Sequence, residues 1–108
     1  MHIVDKRRES YTRYIGRGSD FGNPFTHLSL SNTKAYVQVS TIEEAVSCFE
    51  LWARGSDTWD YIIPKQIRER FNEAMKTLNK DDILGCFGCK PCCHGDVIIK
   101  LWKEMRGL

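Results

Sequence analysis

Residues able to hold a metal or carry thiol and acid–base chemistry crowd into the segment GCFGCKPCCHGD, residues 85 to 96. Cys86, Cys89, Cys92, Cys93, His94 and Asp96 all fall inside it. Thiolate and imidazole are the usual zinc ligands, so Cys86, Cys89, Cys93 and His94 form a candidate zinc set, and zinc is the only cofactor suggested. His27, from a different segment, could complete such a site. The spacing also has the opening of an iron–sulfur run but lacks its distal cysteine, and the second ligand pair of a zinc ribbon is absent. A second reading is a reactive thiolate: Cys93 stands where a helix starts, and a helix N-terminus lowers a thiol pKa. His94 is its chain neighbour, and adjacent side chains seldom point the same way. A third reading is a set of small apolar thiols lining a strand end. Asp96 falls in the first helical turn, where it would complement the helix dipole; it could instead bind a ribose or orient His94.

A second chemical stretch is YIGRGSDFGNPF, residues 14 to 25. Gly16, Gly18 and Gly22 allow positive φ and close approach of a ligand. Arg17 offers a planar cation suited to phosphate or carboxylate. Ser19 and Asn23 add hydroxyl and amide groups. Pro24 pushes Asn23 out of the helical region. Such a loop can form an anion-binding nest, although it matches neither the P-loop nor the GxGxxG spacing. The plainer alternative is a structural turn. Around it, Lys6, Arg7, Arg8, Arg13 and Arg17 interleave with Tyr11, Tyr14, Phe21 and Phe25, a mix that binds nucleotides or single strands; a solvated face above an aromatic core gives the same pattern.

The elements that must position these stretches are readable. Ile3-Val4 and Tyr11 to Ile15 read as strands, residues 16 to 33 as a long loop, and Lys34 to Val39 as a further strand. Thr41-Ile-Glu-Glu44 fits a capping box, and Ala45, Cys48, Phe49 and Trp52 recur at helical spacing until Gly55. Pro64 suits the first turn of a second helix with the stripe Ile67, Phe71, Ala74, Met75 and Leu78. Ile83-Leu84 reads as a short buried strand. A third helix starts at His94, with Val97, Ile98, Leu101, Trp102 and Met105 on its apolar face. Trp52, Trp59 and Trp102 read as core or interface anchors. The sequence therefore predicts one small layered α/β domain over residues 1 to 108, Rossmann-like, with a mainly parallel sheet of three to five strands flanked by helices. Ligands of such sheets sit beyond the carboxyl ends of the strands, so both chemical loops are expected to meet at that edge.

Composition sets the outer bounds. The chain has 108 residues, 42% hydrophobic and 28% charged, with 16 basic and 14 acidic side chains and a net charge of +2. A charge so near neutral argues against a nucleic-acid partner. No apolar run is long enough to span a membrane, and MHIVDKRRES is no signal peptide, so a cytoplasmic location is expected. The five cysteines are odd in number, with Cys48 alone and the other four clustered, which does not fit a disulfide framework.

Taken together, Ile15-Gly16-Arg17, Ser19, Gly22-Asn23-Pro24-Phe25, Thr41 to Ala45 with Trp52, Leu84-Gly85-Cys86 and Cys93-His94-Gly95-Asp96 resemble a domain-of-unknown-function family widespread in phage and bacterial genomes. Its motifs run IGRxSxxGNPF and LGCxCxPxxCHGD. Gly88 stands where that family's second cysteine usually lies, with Cys89 one step later. The resemblance implies no settled activity. It implies a phage-type protein, acting in the host cytoplasm if phage-encoded.

Three functions are expected to compete. The preferred one is a pocket for a nucleotide or other phosphate-bearing small molecule, built from Arg17, Gly18, Ser19, Gly22, Asn23, Cys93, His94, Gly95 and Asp96, sequestering a host defence signal without turnover. The second is an enzyme acting on a nucleotide or nucleoside through Cys93, His94 or Asp96. The third is a zinc-stabilised module that inhibits a host protein, a host defence protein being one such partner. A homo-oligomer is compatible with each.

Overall fold

The computed structural model describes residues 1–87 and 93–108. Its main sheet has three parallel strands: β1 (His2–Asp5), β2 (Arg13–Tyr14) and, between them, β5 (Ile83–Cys86). Ile3 and Arg13 both register with Leu84. The central strand is thus covered on both edges, which suits the apolar Ile83-Leu84 pair. Thr12 locks the pairing: its hydroxyl donates to Asp82 Oδ1 (2.7 Å) and accepts the Ile83 N–H (2.8 Å).

The expected strand at Tyr11 to Ile15 is narrowed to Arg13–Tyr14, although Thr12 and Ile15 still donate to the carbonyls of Ile83 and Gly85. The expected long loop over 16 to 33 is not structureless. Phe25–Thr26 forms β3, which pairs in parallel with β4 (Val37–Gln38), and Leu30–Asn32 forms a single 3-10 turn between them. Pro24 explains the start of this pair. Proline cannot donate, but its carbonyl accepts from both Tyr36 and Val37.

Helix α1 (Ile42–Ala53) begins as the sequence predicts. Thr41 Oγ1 accepts the Glu44 N–H at 3.1 Å; Glu44 reaches back to the Ser40 N–H, one residue beyond the cap. Helix α2 (Lys65–Met75) has Pro64 just before its first turn, and Arg68 donates to the carbonyls of Trp52 and Ser56, satisfying the end of α1. Helix α3 (His94–Met105) presents Val97, Ile98 and Trp102 to the interior, while Met105 is exposed. The core is aromatic: Phe49, Trp52 and Phe71 are buried, and Phe49 meets Phe71 edge-on at 5.5 Å. Ile15, Phe25, Leu84 and Ile98 fill the space between sheet and helices. Among the described residues no helix is long and apolar enough to cross a membrane.

Candidate functional site

β2 and β5 are parallel neighbours, so the chain leaves both at the same edge of the sheet. Beyond β2 comes the glycine-rich loop; beyond β5 come Phe87 and, after the undescribed residues 88–92, the start of α3. The two segments touch through His94. Its Nε2 lies 2.8 Å from the Ile15 carbonyl and 3.1 Å from the Phe21 carbonyl. Both partners can only accept, so Nε2 carries the proton in this arrangement. The imidazole is buried and stands edge-on to Phe49 at 5.2 Å. Burial pushes its pKa down to about 4, against the opposing pull of the two carbonyls, so the ring is neutral at physiological pH. His94 therefore works as a pin holding the glycine-rich loop onto α3.

Gly95 makes that contact possible. A Cβ there would stand 2.8 Å from Ile3 Cδ1 and 2.9 Å from Ile15 Cδ1, so any larger residue would have to displace these two side-chain ends for the helix to start so close to the sheet. Cys93 is the N-cap: its sulfur accepts the Gly95 N–H at 3.2 Å and lies 3.5 Å from the Cys86 sulfur. Asp96 is exposed in the first turn, in place to complement the dipole, and lines neither of the cavities described below.

The loop itself is braced by its own polar side chains. Arg17 Nε donates to the Asn23 carbonyl (3.2 Å) and Nη2 to the Phe25 carbonyl (2.8 Å). Ser19 donates to the Gly16 carbonyl (2.7 Å) and accepts the Phe21 N–H. Gly22 donates to the Ser19 carbonyl. Asn23 is buried, accepts the Phe25 N–H and donates to the Ala45 carbonyl in α1. Gly18 turns the chain with φ +96, a conformation costly for any residue bearing a Cβ. Arg17, Gly18, Ser19, Gly22 and Asn23 are thus brought together, and a large part of their hydrogen bonding is spent on the loop.

Arg17 retains spare capacity. A guanidinium has five N–H donors, and two atoms are tied to carbonyls. It is half-buried, its pKa lowered by that burial, and among the described residues it has no acidic partner. On one side it borders a cavity of about 330 Å³, lined also by Tyr14, His27, Ile42, Phe87 and His94. On the other it borders a cleft of about 230 Å³ with Gly18, Ser19, Tyr36, Lys34 and Arg70. At the mouth of the larger cavity Phe87 is 59% exposed, with the Arg7 guanidinium 4.3 Å from its ring centre and Lys6 Nζ 4.7 Å from that of Tyr14. The N-terminal cations thus lie over rings of this chain itself.

Among the described residues no group of three or more His, Cys, Asp or Glu side chains is placed to hold a metal ion. Of the candidate zinc set, Cys86, Cys93 and His94 are described, Cys89 lies outside the described residues, and His94 Nε2 is engaged by carbonyls. His27 is exposed and lines the larger cavity. Sequence reasoning did not single out Lys34, Arg70 or Phe87 as site residues. The first two come from distant segments and carry no local motif. Phe87 had one available signal: a large apolar residue directly after a strand at the ligand-bearing edge.

The profile of the family described as Domain of unknown function (DUF4326) matches residues 2–104. The chain belongs to this family. Neither the curated proteins nor the solved structures contain a match to it.

Proposed function

We infer that this member of the family binds a nucleotide, or another small phosphate-bearing molecule, in the cavity between the 16–25 loop and the 86–96 segment. One observation carries the reading: a cavity at the carboxyl edge of the parallel sheet, of small-molecule size, with a half-buried arginine in its wall that no carboxylate among the described residues neutralises. A guanidinium so placed favours an anion, because bringing a counter-charge to a partly desolvated cation is worth more than at an open surface. The walls supply the rest of a nucleotide's needs. Tyr14 and Phe87 offer ring faces for a base, and the exposed His27 offers a polar group for a sugar.

Binding is favoured over turnover because the groups able to catalyse are otherwise employed. His94 is a neutral donor to two carbonyls, and Asp96 stands away from the cavity. Binding without turnover is the behaviour of a protein that sequesters its ligand.

The test is calorimetric titration with mono-, di- and cyclic nucleotides and ADP-ribose-type compounds. Saturable binding is expected, and Val46→Phe, which pushes a ring from α1 into the cavity, should abolish it while leaving the urea midpoint near that of the parent. The reading fails if no compound binds at millimolar concentration, or if the filled cavity binds as well as the open one.

A further inference from the structure

The cleft behind Arg17 is distinct from the cavity discussed above and has its own charge pattern. Arg17, Lys34, Arg70 and Asp20 are its charged lining residues, a balance of 3 − 1 = +2. Lys34 and Arg70 are exposed, and the side chain of neither makes a hydrogen bond or ion pair among the described residues. They reach the cleft from unrelated places, Lys34 from the segment before β4 and Arg70 from α2. Like charges repel, so cations brought to one concave space at the cost of mutual repulsion are most stable with an anion between them. Elsewhere on this chain some exposed cations meet carboxylates, as Arg54 meets Glu50 and Glu104, Lys100 Glu50, Lys76 Glu73 and Arg7 Asp5, while Arg8, Lys65, Lys80 and Lys103 are exposed with no ion pair among the described residues. What sets the cleft apart is that three cations, Arg17, Lys34 and Arg70, face one concave space together.

We propose that this cleft is a second anion site, taking the phosphate or diphosphate group of a small molecule between Lys34, Arg70 and the free edge of Arg17. Tyr36 and the Ser19 hydroxyl line the same space. The concave shape and small volume, about 230 Å³, suit a compact dianion better than the extended backbone of a nucleic acid, which calls for a basic track along a surface. Lys34 and Arg70 do not line the larger cavity, so the two sites are separable by mutation.

The experiment is titration of the full chain with inorganic pyrophosphate, followed by amide NMR and calorimetry. Saturable shifts are expected at Gly18, Ser19 and Gly22, with affinity falling as salt rises. The double variant Lys34→Gln, Arg70→Gln should weaken pyrophosphate by roughly tenfold or more. The same variant should leave the binding of uncharged adenosine in the larger cavity unchanged, and the Val46→Phe variant should still bind pyrophosphate. These two arms separate failure of this site from failure of the nucleotide pocket. Both substituted residues are exposed, so an unchanged urea midpoint will certify the fold. Absence of saturable pyrophosphate binding, undiminished binding by the double variant, or tighter binding of a single-stranded oligonucleotide through the same residues would each overturn the proposal.

Discussion

Two groups of cations on this molecule are treated in opposite ways. Between α1 and α3, Arg54 donates to Glu50 at 2.9 Å and grips Glu104 with both Nη atoms at 2.8 Å, while Lys100 also reaches Glu50. Every cation in that patch has a carboxylate. At the carboxyl edge of the sheet, Arg17, Lys34 and Arg70 have none among the described residues. The first group clamps two helices and leaves little unmatched charge. The second leaves its charge turned toward hollow space. Unmatched cations that share a hollow are thus found at the sheet edge, and the paired patch serves as an internal reference for what neutralised charge looks like here.

The sharpest way to break the comparison is to remove the support under the unmatched charges. His94→Ala removes the donor shared by Ile15 and Phe21 and opens a hole beside Phe49, so it should cost about 3 kcal/mol in urea unfolding. The native residue should also give a pH signature. Its folded pKa, about 4, lies below its unfolded value, near 6.5. Between those values the unfolded chain takes up a proton that the folded chain refuses. The stability contributed by neutral His94 is therefore complete above about pH 6.5 and is lost as pH falls toward 4, by about 3 kcal/mol in all. His94→Gln keeps a donor and cannot titrate; its stability should be nearly flat over that window once carboxylate effects, common to both chains, are subtracted. An equally steep profile for His94→Gln would show that the pin is not the titrating group.

A smaller effect is expected at Arg17, which belongs to both halves of the argument. Arg17→Met keeps the bulk and loses the two hydrogen bonds to the Asn23 and Phe25 carbonyls, which should cost about 2 kcal/mol. The same substitution should abolish nucleotide and pyrophosphate binding together, because Arg17 is the wall that the two hollows share. Arg17→Lys restores charge without the planar fork, so it should recover part of the anion affinity and little of the stability. Recovery of both in equal measure would mean that the guanidinium geometry is immaterial.

The elements were more legible in the sequence than the site. The Thr41 cap, the Gly55 stop and the Val97, Ile98 and Trp102 stripe each obey a local rule, and the helices form where those rules place them. The parallel sheet followed from the order of elements, and with it the meeting of the two loops at one edge. The loop residues were legible by type and not by use. Arg17 reads as an anion ligand because nothing in its spacing reveals that the Asn23 and Phe25 carbonyls fold back beneath it. His94 reads as a candidate base or ligand because burial and its acceptors come from a strand end some eighty residues earlier, at Ile15. Lys34 and Arg70 could not be assigned at all, since their relation to Gly18 exists only after β4 and α2 have packed. Cys89 and Cys92 lie outside the described residues, so the cysteine motif contributes here only through Cys86 and Cys93.

The smallest effect should come from the neutralised patch itself. Arg54→Ala removes a guanidinium that touches both Glu50 and Glu104, the most elaborate ion-pair network among the described residues. Yet the group is at the surface, where water screens the attraction and ordering long side chains offsets much of it. Glu50 keeps Lys100 as a partner, so no buried charge is stranded by the change. The urea midpoint should therefore stay close to that of the parent protein, and any small loss should shrink further in salt. Pyrophosphate titration of the same variant should be indistinguishable from the parent, because Arg54 and its carboxylates line neither hollow. If Arg54→Ala instead destabilised the chain as much as Arg17→Met, exposure would not be what separates Arg54 from Arg17. The contribution of Arg17 to stability would then have to be explained by something other than its half-buried setting and its two carbonyl partners.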